Sequence, residues 1–369
     1  MREREFSLDY LRAFACILVT VGHLVMSFQE SGIITDSLLS DIFISFIYCF
    51  HVYIFFFCSG YLFQKSKVGL TDSKKLLYFR FERFLNYMIL YVLFSGITYV
   101  LKVIFSSSVN NATKYSFIDT LINHPINQMW YLYAISLIFL FSHLIRSEKS
   151  LYILLGITLI LKISVCIPLI NSVFPTPLKF LCSNMIWFVL GQAAVYKKIK
   201  LNILFSVFSA ISFVALFVSS FLSGWKSEFV NAILTFLGLM ATVGLICNFT
   251  KNKSYISGIW KYISKYMLQI YLLHTIFAAC VRTVLFKIGV TNFLPHLLAG
   301  LAASFILPIL CAMIADRFYL LNIVFTPTKI LKSIFSKNST IWITVLSDHK
   351  QKRGEFHLAF ATINLFNVF

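Results

Sequence analysis

The sequence predicts an all-α integral membrane bundle of about ten transmembrane helices with both termini in the cytoplasm. Three observations point there. Hydrophobic residues fill 59% of the 369 positions, charged residues fill 12%, and the basic residues gather in short clusters between long apolar runs. A soluble domain carries about 25% charged residues, so a chain this apolar needs lipid as the solvent for most of its surface. Its 40 Phe and 18 Tyr suit wide lipid-facing surfaces bordered by rings.

Runs long enough to cross about 30 Å of hydrocarbon fall near 8–28, 38–63, 84–105, 128–146, 151–171, 178–196, 201–222, 229–249, 262–288 and 293–315. The first follows Arg2 and Arg4, but Asp9 and Arg12 interrupt its start and no small-x-small site follows Phe28, so it reads as an uncleaved span rather than a signal peptide. Pro168, Pro175 and Pro177 interrupt the region 151–196, where the boundaries are least defined. With the N-terminus inside, the cytoplasmic connections hold Lys65, Lys67, Lys74, Lys75, Arg80 and Arg83, then Arg146 and Lys149, then Lys197, Lys198 and Lys200, then Lys251, Lys253, Lys261 and Lys265. The opposite connections hold Lys114, Lys179 and Lys226, with Lys287 at a border. That asymmetry follows the positive-inside rule, and one missed or invented span would scramble it.

The net charge of +18 is therefore a topology and headgroup signal, not a nucleic-acid footprint. The eight cysteines are single and lie inside apolar runs, with no CxxC or Cys/His ligand spacing, so neither disulfides nor a metal site is expected. Residues 1–330 form the transmembrane domain in this reading, and 331–369 a basic cytoplasmic tail whose last apolar stretch is too short to span.

Ionisable groups inside lipid cost about 2.5–3.5 kcal/mol each on insertion scales and tend to mark function. The first span holds Asp9, Arg12 and His23. Arg12 and His23 are eleven residues apart, so they share a helix face to within roughly 20° but stand about 16 Å apart along the axis. Asp9, one turn from Arg12, can pair with it. The bland alternative is an interfacial Asp–Arg anchor plus a hydrogen-bonded core histidine. In the second span His51 lies near mid-membrane and needs a partner, while Ser59 and Gly60 suit close helix packing. Arg80 and Arg83 face one way on a short helix before the third span, beside Lys74 and Lys75; they are either a positive-inside flank or a phosphate clamp. His274 lies within the ninth span, and Lys162 and Arg282 are also in or near the membrane without an assigned role.

Taken in order, these stretches resemble the acyltransferase-3 family of membrane acyltransferases, which includes surface-polysaccharide O-acetylases and the enterobacterial common antigen O-acetyltransferase. Leu8-Asp9-Tyr10-Leu11-Arg12-Ala13 through His23 is similar to the family's N-terminal Arg-x10-His signature. Phe55, Phe56, Ser59 and Gly60 match its FFxxSG segment, and Arg80-Phe81-Glu82-Arg83 its RxxR motif. Met129-Trp130-Tyr131-Leu132 resembles its LWFL-type element and Tyr266 to His274 its late SLxIYLLH element, departing at Tyr266-Met267-Leu268-Gln269, where the family commonly has Asn-Ser-Leu-Gly.

The resemblance implies transfer of an acyl group, usually acetyl, from cytoplasmic acyl-CoA (acetyl-CoA as donor substrate, no bound cofactor) to a hydroxyl of a surface glycan or lipid-linked oligosaccharide at a bacterial inner membrane. On this expectation Arg80, Arg83 and Lys75 hold the CoA phosphates and Arg12 orients the donor. His23 is the general base or a transient acyl carrier, and His51 relays or binds. Asp9, Ser59, Trp130 and His274 support the site. A sugar hydroxyl is a poor nucleophile, and an imidazole near neutrality suits its activation. The rivals are a flippase for a lipid-linked glycan, which would commonly show repeated halves with broken helices, and a non-catalytic subunit of a polysaccharide assembly complex.

Overall fold

The chain's computed structural model describes residues 6–35, 38–66, 72–106, 114–225, 227–253 and 255–328, and among these residues there are helices and no strands. The helices are α1 (Phe6–Glu30), α2 (Leu38–Tyr48), α3 (His51–Ser66), α4 (Ser73–Ile104), α5 (Phe117–Ile122), α6 (Trp130–Phe141), α7 (Glu148–Cys166), α8 (Pro168–Val173), α9 (Thr176–Tyr196), α10 (Ile203–Ser223), α11 (Glu228–Thr250), α12 (Gly258–Lys265), α13 (Met267–Lys287), α14 (Phe293–Arg317) and α15 (Tyr319–Phe325). The chain divides into two units, Met1–Phe325 and Thr326–Phe369. The expected tail 331–369 lies outside the described residues.

Nine helical stretches among the described residues are long and apolar enough to cross a membrane: α1, α2 with α3, α4, α7, α9, α10, α11, α13 and α14. The protein is thus an all-α, multi-pass membrane bundle. The tenth expected span, 128–146, contains only the 12-residue α6, which at 1.5 Å per residue covers about 18 Å. Irregular backbone at membrane depth is tolerated where protein covers it, and α6 is covered. Tyr131 through Ser136, Ile138 and Phe139 are all buried.

The extended stretch after α6 is held by two glutamines from other helices. Gln64 on α3 donates from Nε2 to the Ile145 carbonyl (2.8 Å) and accepts the Ile145 N–H (3.0 Å). Gln192 on α9 donates to the His143 carbonyl (2.7 Å) and to Gln64 Oε1 (3.2 Å). Arg80 on α4 caps the end of α6 by donating to the Leu140 carbonyl. Gln64→Leu leaves the N–H and C=O of Ile145 stranded, and each orphaned buried group costs about 1–3 kcal/mol. Thermal unfolding in detergent should show Gln64→Leu well below wild type, and an unchanged melting temperature would discount the clasp.

Three expectations need correction. Arg80 and Arg83 are not on a separate short helix; they lie in the first turns of the 32-residue α4, which Asp72 caps by accepting from the N–H groups of Lys74 and Lys75. The span 38–63 is broken at Cys49–Phe50, between α2 and α3. The span 262–288 is broken at Tyr266, so that α13 starts at Met267. The prolines of 151–196 do interrupt the region, and they do so at helix starts: Pro168 opens α8 and Pro177 lies in the first turn of α9. Proline suits these positions because the first helical N–H groups have no intrahelical acceptor.

The bundle is tightest where α3 crosses α9. A Cβ on Gly60 would fall 1.9 Å from the Phe188 carbonyl oxygen, and one on Gly191 would fall 2.0 Å from that of Phe57. The packing role expected of the small residue at Gly60 is therefore met at a backbone-to-backbone contact. Around it Phe56, Phe63, Leu132, Ile135 and Phe188 are fully buried. Helices α1 and α13 run parallel beside this core, paired by Cys16 with Met267, His23 with His274 and Ser27 with Arg282, while Tyr10 of α1 meets Trp260 of α12.

Candidate active site

The break between α2 and α3 creates the first half of the site. With the helix interrupted, the Ile47 carbonyl accepts the Phe50 N–H (3.2 Å) and also Nδ1–H of His51 (2.8 Å). A carbonyl only accepts, so Nδ1 of His51 carries the proton, and in the neutral ring the lone pair sits on Nε2. That Nε2 is buried and has no hydrogen-bond partner.

His274 on α13 is built in the same way. Its Nδ1 donates to the carbonyls of Ile270 (2.9 Å) and Tyr271 (3.0 Å), and its buried Nε2 is likewise without a partner. Both imidazoles are 1% exposed. Buried polar atoms are normally satisfied, so two orphaned acceptors in one region point to a hydroxyl, thiol or water as the missing donor.

His23 on α1 joins the two halves. Its ring centroid lies 5.5 Å from that of His274 and 5.9 Å from that of Tyr48, and its Nδ1 is 3.2 Å from the Tyr48 hydroxyl. Tyr48 in turn stands 4.7 Å, ring to ring, from His51. His51 and His274 are sealed, whereas His23 is half-buried. No group of three His, Cys, Asp or Glu side chains among the described residues is placed to hold a metal ion.

Arg12 lies on the same face of α1, with Asp9 3.8 Å away. Of the two, Arg12 keeps 29% side-chain exposure. On the neighbouring helices, Tyr131 of α6 packs against Phe55 (5.7 Å) and Phe56 (4.9 Å) of α3. The Tyr131 ring lies 5.6 Å from that of Tyr271, which lies 6.4 Å from that of His274. Tyr271 donates to the Gln128 carbonyl, and Gln128 Nε2 donates to Thr275 (2.9 Å), leaving Gln128 Oε1 buried without a partner. A series of neighbouring polar rings thus runs Tyr131, Tyr271, His274, His23, Tyr48, His51.

The remaining expected residues are placed less centrally. Arg80 and Arg83 are half-buried near the basic end of α4; Arg83 lies over the Phe79 ring at 5.1 Å, and Arg80 is engaged by the end of α6. Lys75 is exposed, and five residues place it about 140° around the helix from Arg80, so the fold does not gather it with the arginine pair. Trp130 packs on Phe180 (5.8 Å) and Phe56 (6.3 Å) and has no ring contact with the histidines.

Sequence reasoning missed Tyr48, Tyr131, Tyr271 and Gln128. One signal was present: Tyr48-Cys49-Phe50-His51 and Tyr271-Leu272-Leu273-His274 share a Tyr-x-x-His spacing, which within α13 puts Tyr271 on the same face as His274 one turn away, while the α2–α3 break lies between Tyr48 and His51. Tyr131 and Gln128 carried no such mark.

Among known families, the one described as an acyltransferase domain, acyltransferase-3, matches residues 5–313. No curated protein and no solved structure matches the chain. The match spans all nine candidate membrane helices but the last few residues of α14, and with them every side chain of the histidine and tyrosine series. The chain belongs to the acyltransferase-3 family of membrane acyltransferases.

Proposed function

We propose that this membrane acyltransferase is an O-acyltransferase, with acetyl-CoA as donor at the cytoplasmic face of a bacterial inner membrane and a hydroxyl of a surface polysaccharide or lipid-linked glycan as acceptor. The observation that supports this reading most is that α1 carries Arg12 and His23 on one face, with His23 meeting a series of polar rings and two imidazoles whose Nε2 atoms lack donors among the described residues. A thioester entering from the basic face meets fixed cations first and imidazoles last, which is the order that the transfer requires.

In this mechanism the CoA phosphates rest on Arg83 and Arg80, since guanidinium forks match phosphate oxygens. Arg12, steadied by Asp9, orients the acyl end. His23 takes the proton of the acceptor hydroxyl as its oxygen attacks the thioester carbonyl. The new C–O ester bond forms, the C–S bond breaks, and the proton passes to the departing CoA thiolate. Tyr48 holds the His23 ring in place, and His274 and His51 flank this pair from α13 and α3.

The deciding experiment incubates purified protein with acyl-labelled acetyl-CoA and a surface glycan. Label moving onto the glycan supports the reading; glycan crossing vesicle membranes without label transfer identifies the flippase instead. Arg83→Gln should raise the KM for acetyl-CoA about tenfold, the weight of about 1.4 kcal/mol, with a smaller change in kcat. An unchanged KM would remove Arg83 from donor binding.

A further inference from the structure

This mechanism leaves buried cations unused, among them Lys162 on α7 and Arg282 on α13. Arg282 on α13 is 6% exposed. It lies eight residues beyond His274, about 12 Å further along the axis, towards the end of the bundle opposite the basic face. Its Nη1 donates to the Ser27 hydroxyl and lies 3.4 Å from the Ser27 carbonyl. Ser27 is one turn beyond His23 on α1, a rise of about 6 Å. No hydrogen bond runs from Nε or Nη2 of Arg282 to another described residue.

The carboxylate of Glu30, at the exposed end of α1, acts on Arg282 from a distance and makes no ion pair with it within 4 Å among the described residues. A buried guanidinium costs several kcal/mol unless an anion and hydrogen bonds compensate it, and a neutral serine supplies the second without the first. The two unused edges of the fork suit a bidentate oxyanion.

We infer that Arg282, positioned by Ser27, binds an oxyanion carried by the acceptor, a phosphate or a carboxylate, and so sets the acceptor's hydroxyl at the level of His23. This rests on the transferase reading for its purpose but not for its test. Anion capture here makes the outer half of the site selective for charged acceptors, while the donor is held at the other end.

The test measures binding to full-length protein in nanodiscs, without turnover. Three probes are compared: polyprenyl diphosphate-linked N-acetylglucosamine, a glucuronate-terminated oligosaccharide, and a neutral alkyl N-acetylglucosaminide. Wild type should bind one of the two anionic probes at least tenfold more tightly than the neutral one, and which of them does so tells phosphate from carboxylate. Arg282→Gln should lose at least tenfold for that probe and be unchanged for the neutral one. Arg282→Lys, which keeps the charge, should lose less and guards against a folding failure. Equal weakening of charged and neutral probes in both variants, no anionic preference in wild type, or full anionic affinity in Arg282→Gln would each overturn the inference. If wild type prefers the anionic probe but moves no label from acetyl-CoA, the transferase reading fails and this site stands.

Discussion

Replacing His23 with alanine is expected to lower acyl transfer at least about 100-fold, and up to about 10,000-fold, the range that a positioned general base contributes. In barrier terms this is about 2.7–5.5 kcal/mol. The reason is positional. Of the three imidazoles in the cluster, His51 and His274 commit Nδ1 to their own helix backbones and are sealed. His23 is half-buried and touches both halves of the site, through His274 on one side and Tyr48 on the other. It alone can meet a substrate arriving from outside the cluster while remaining connected to the Arg12 side. The variant should insert and fold normally, because its side chain bears on the site and not on the tight α3–α9 crossing; circular dichroism and gel filtration in detergent check this. Full activity in folded His23→Ala would remove His23 from the mechanism. The two roles open to it also separate: with labelled acetyl-CoA and no acceptor, an acyl carrier retains label on wild type but not on His23→Ala, whereas a general base retains none on either.

The fold was readable from the chain to the extent that lipid dictates it. A run of about twenty apolar residues has few alternatives to a helix, and the nine long helices lie on runs recognised in this way. Two features escaped, each because a distant residue decides it. Leu144 and Ile145 read as the end of the span 128–146, yet Ser142–Ser147 is extended because Gln64 and Gln192 supply the hydrogen bonds that a helix would. The break at Cys49–Phe50 contains neither Gly nor Pro; the Cys49 carbonyl is taken up by the Thr235 hydroxyl (2.7 Å) of α11, and the Ile47 carbonyl by His51. The site shows the same division. Arg12, His23, His51 and His274 stand out because ionisable groups in lipid are costly. Tyr131 and Tyr271 do not, since a tyrosine in a chain with 18 of them looks like ordinary apolar filling until the fold lines it up. Only the fold shows that Tyr131 and Tyr271 lead, ring by ring, to His274 and His23.

Gly60→Ala should be the most damaging single methyl added to the bundle. The new Cβ would stand 1.9 Å from the Phe188 carbonyl oxygen, with the Phe188 carbonyl carbon at 2.7 Å. Overpacking a core costs about 1–3 kcal/mol where side chains can rotate away. Here both sides of the contact are backbone, so α3 and α9 must separate, and a loss at the top of that range or beyond it is expected. Activity should fall with stability, because α3 also carries His51, Cys58 and Ser59. Gly191→Ala meets the Phe57 carbonyl at 2.0 Å in the same crossing, which makes a sharper test available. Once one methyl has pushed the helices apart, the second enters space already opened, so the double variant should lose clearly less than the sum of the two, as expected for residues that share one displacement. Gly156→Ala is the internal control: a Cβ there meets nothing within 4 Å, and replacing a helical glycine should leave stability unchanged or raise it by up to about 1 kcal/mol. Strictly additive losses at Gly60 and Gly191, or a Gly156 variant as damaged as they are, would mean that helix propensity and not backbone contact sets the effect.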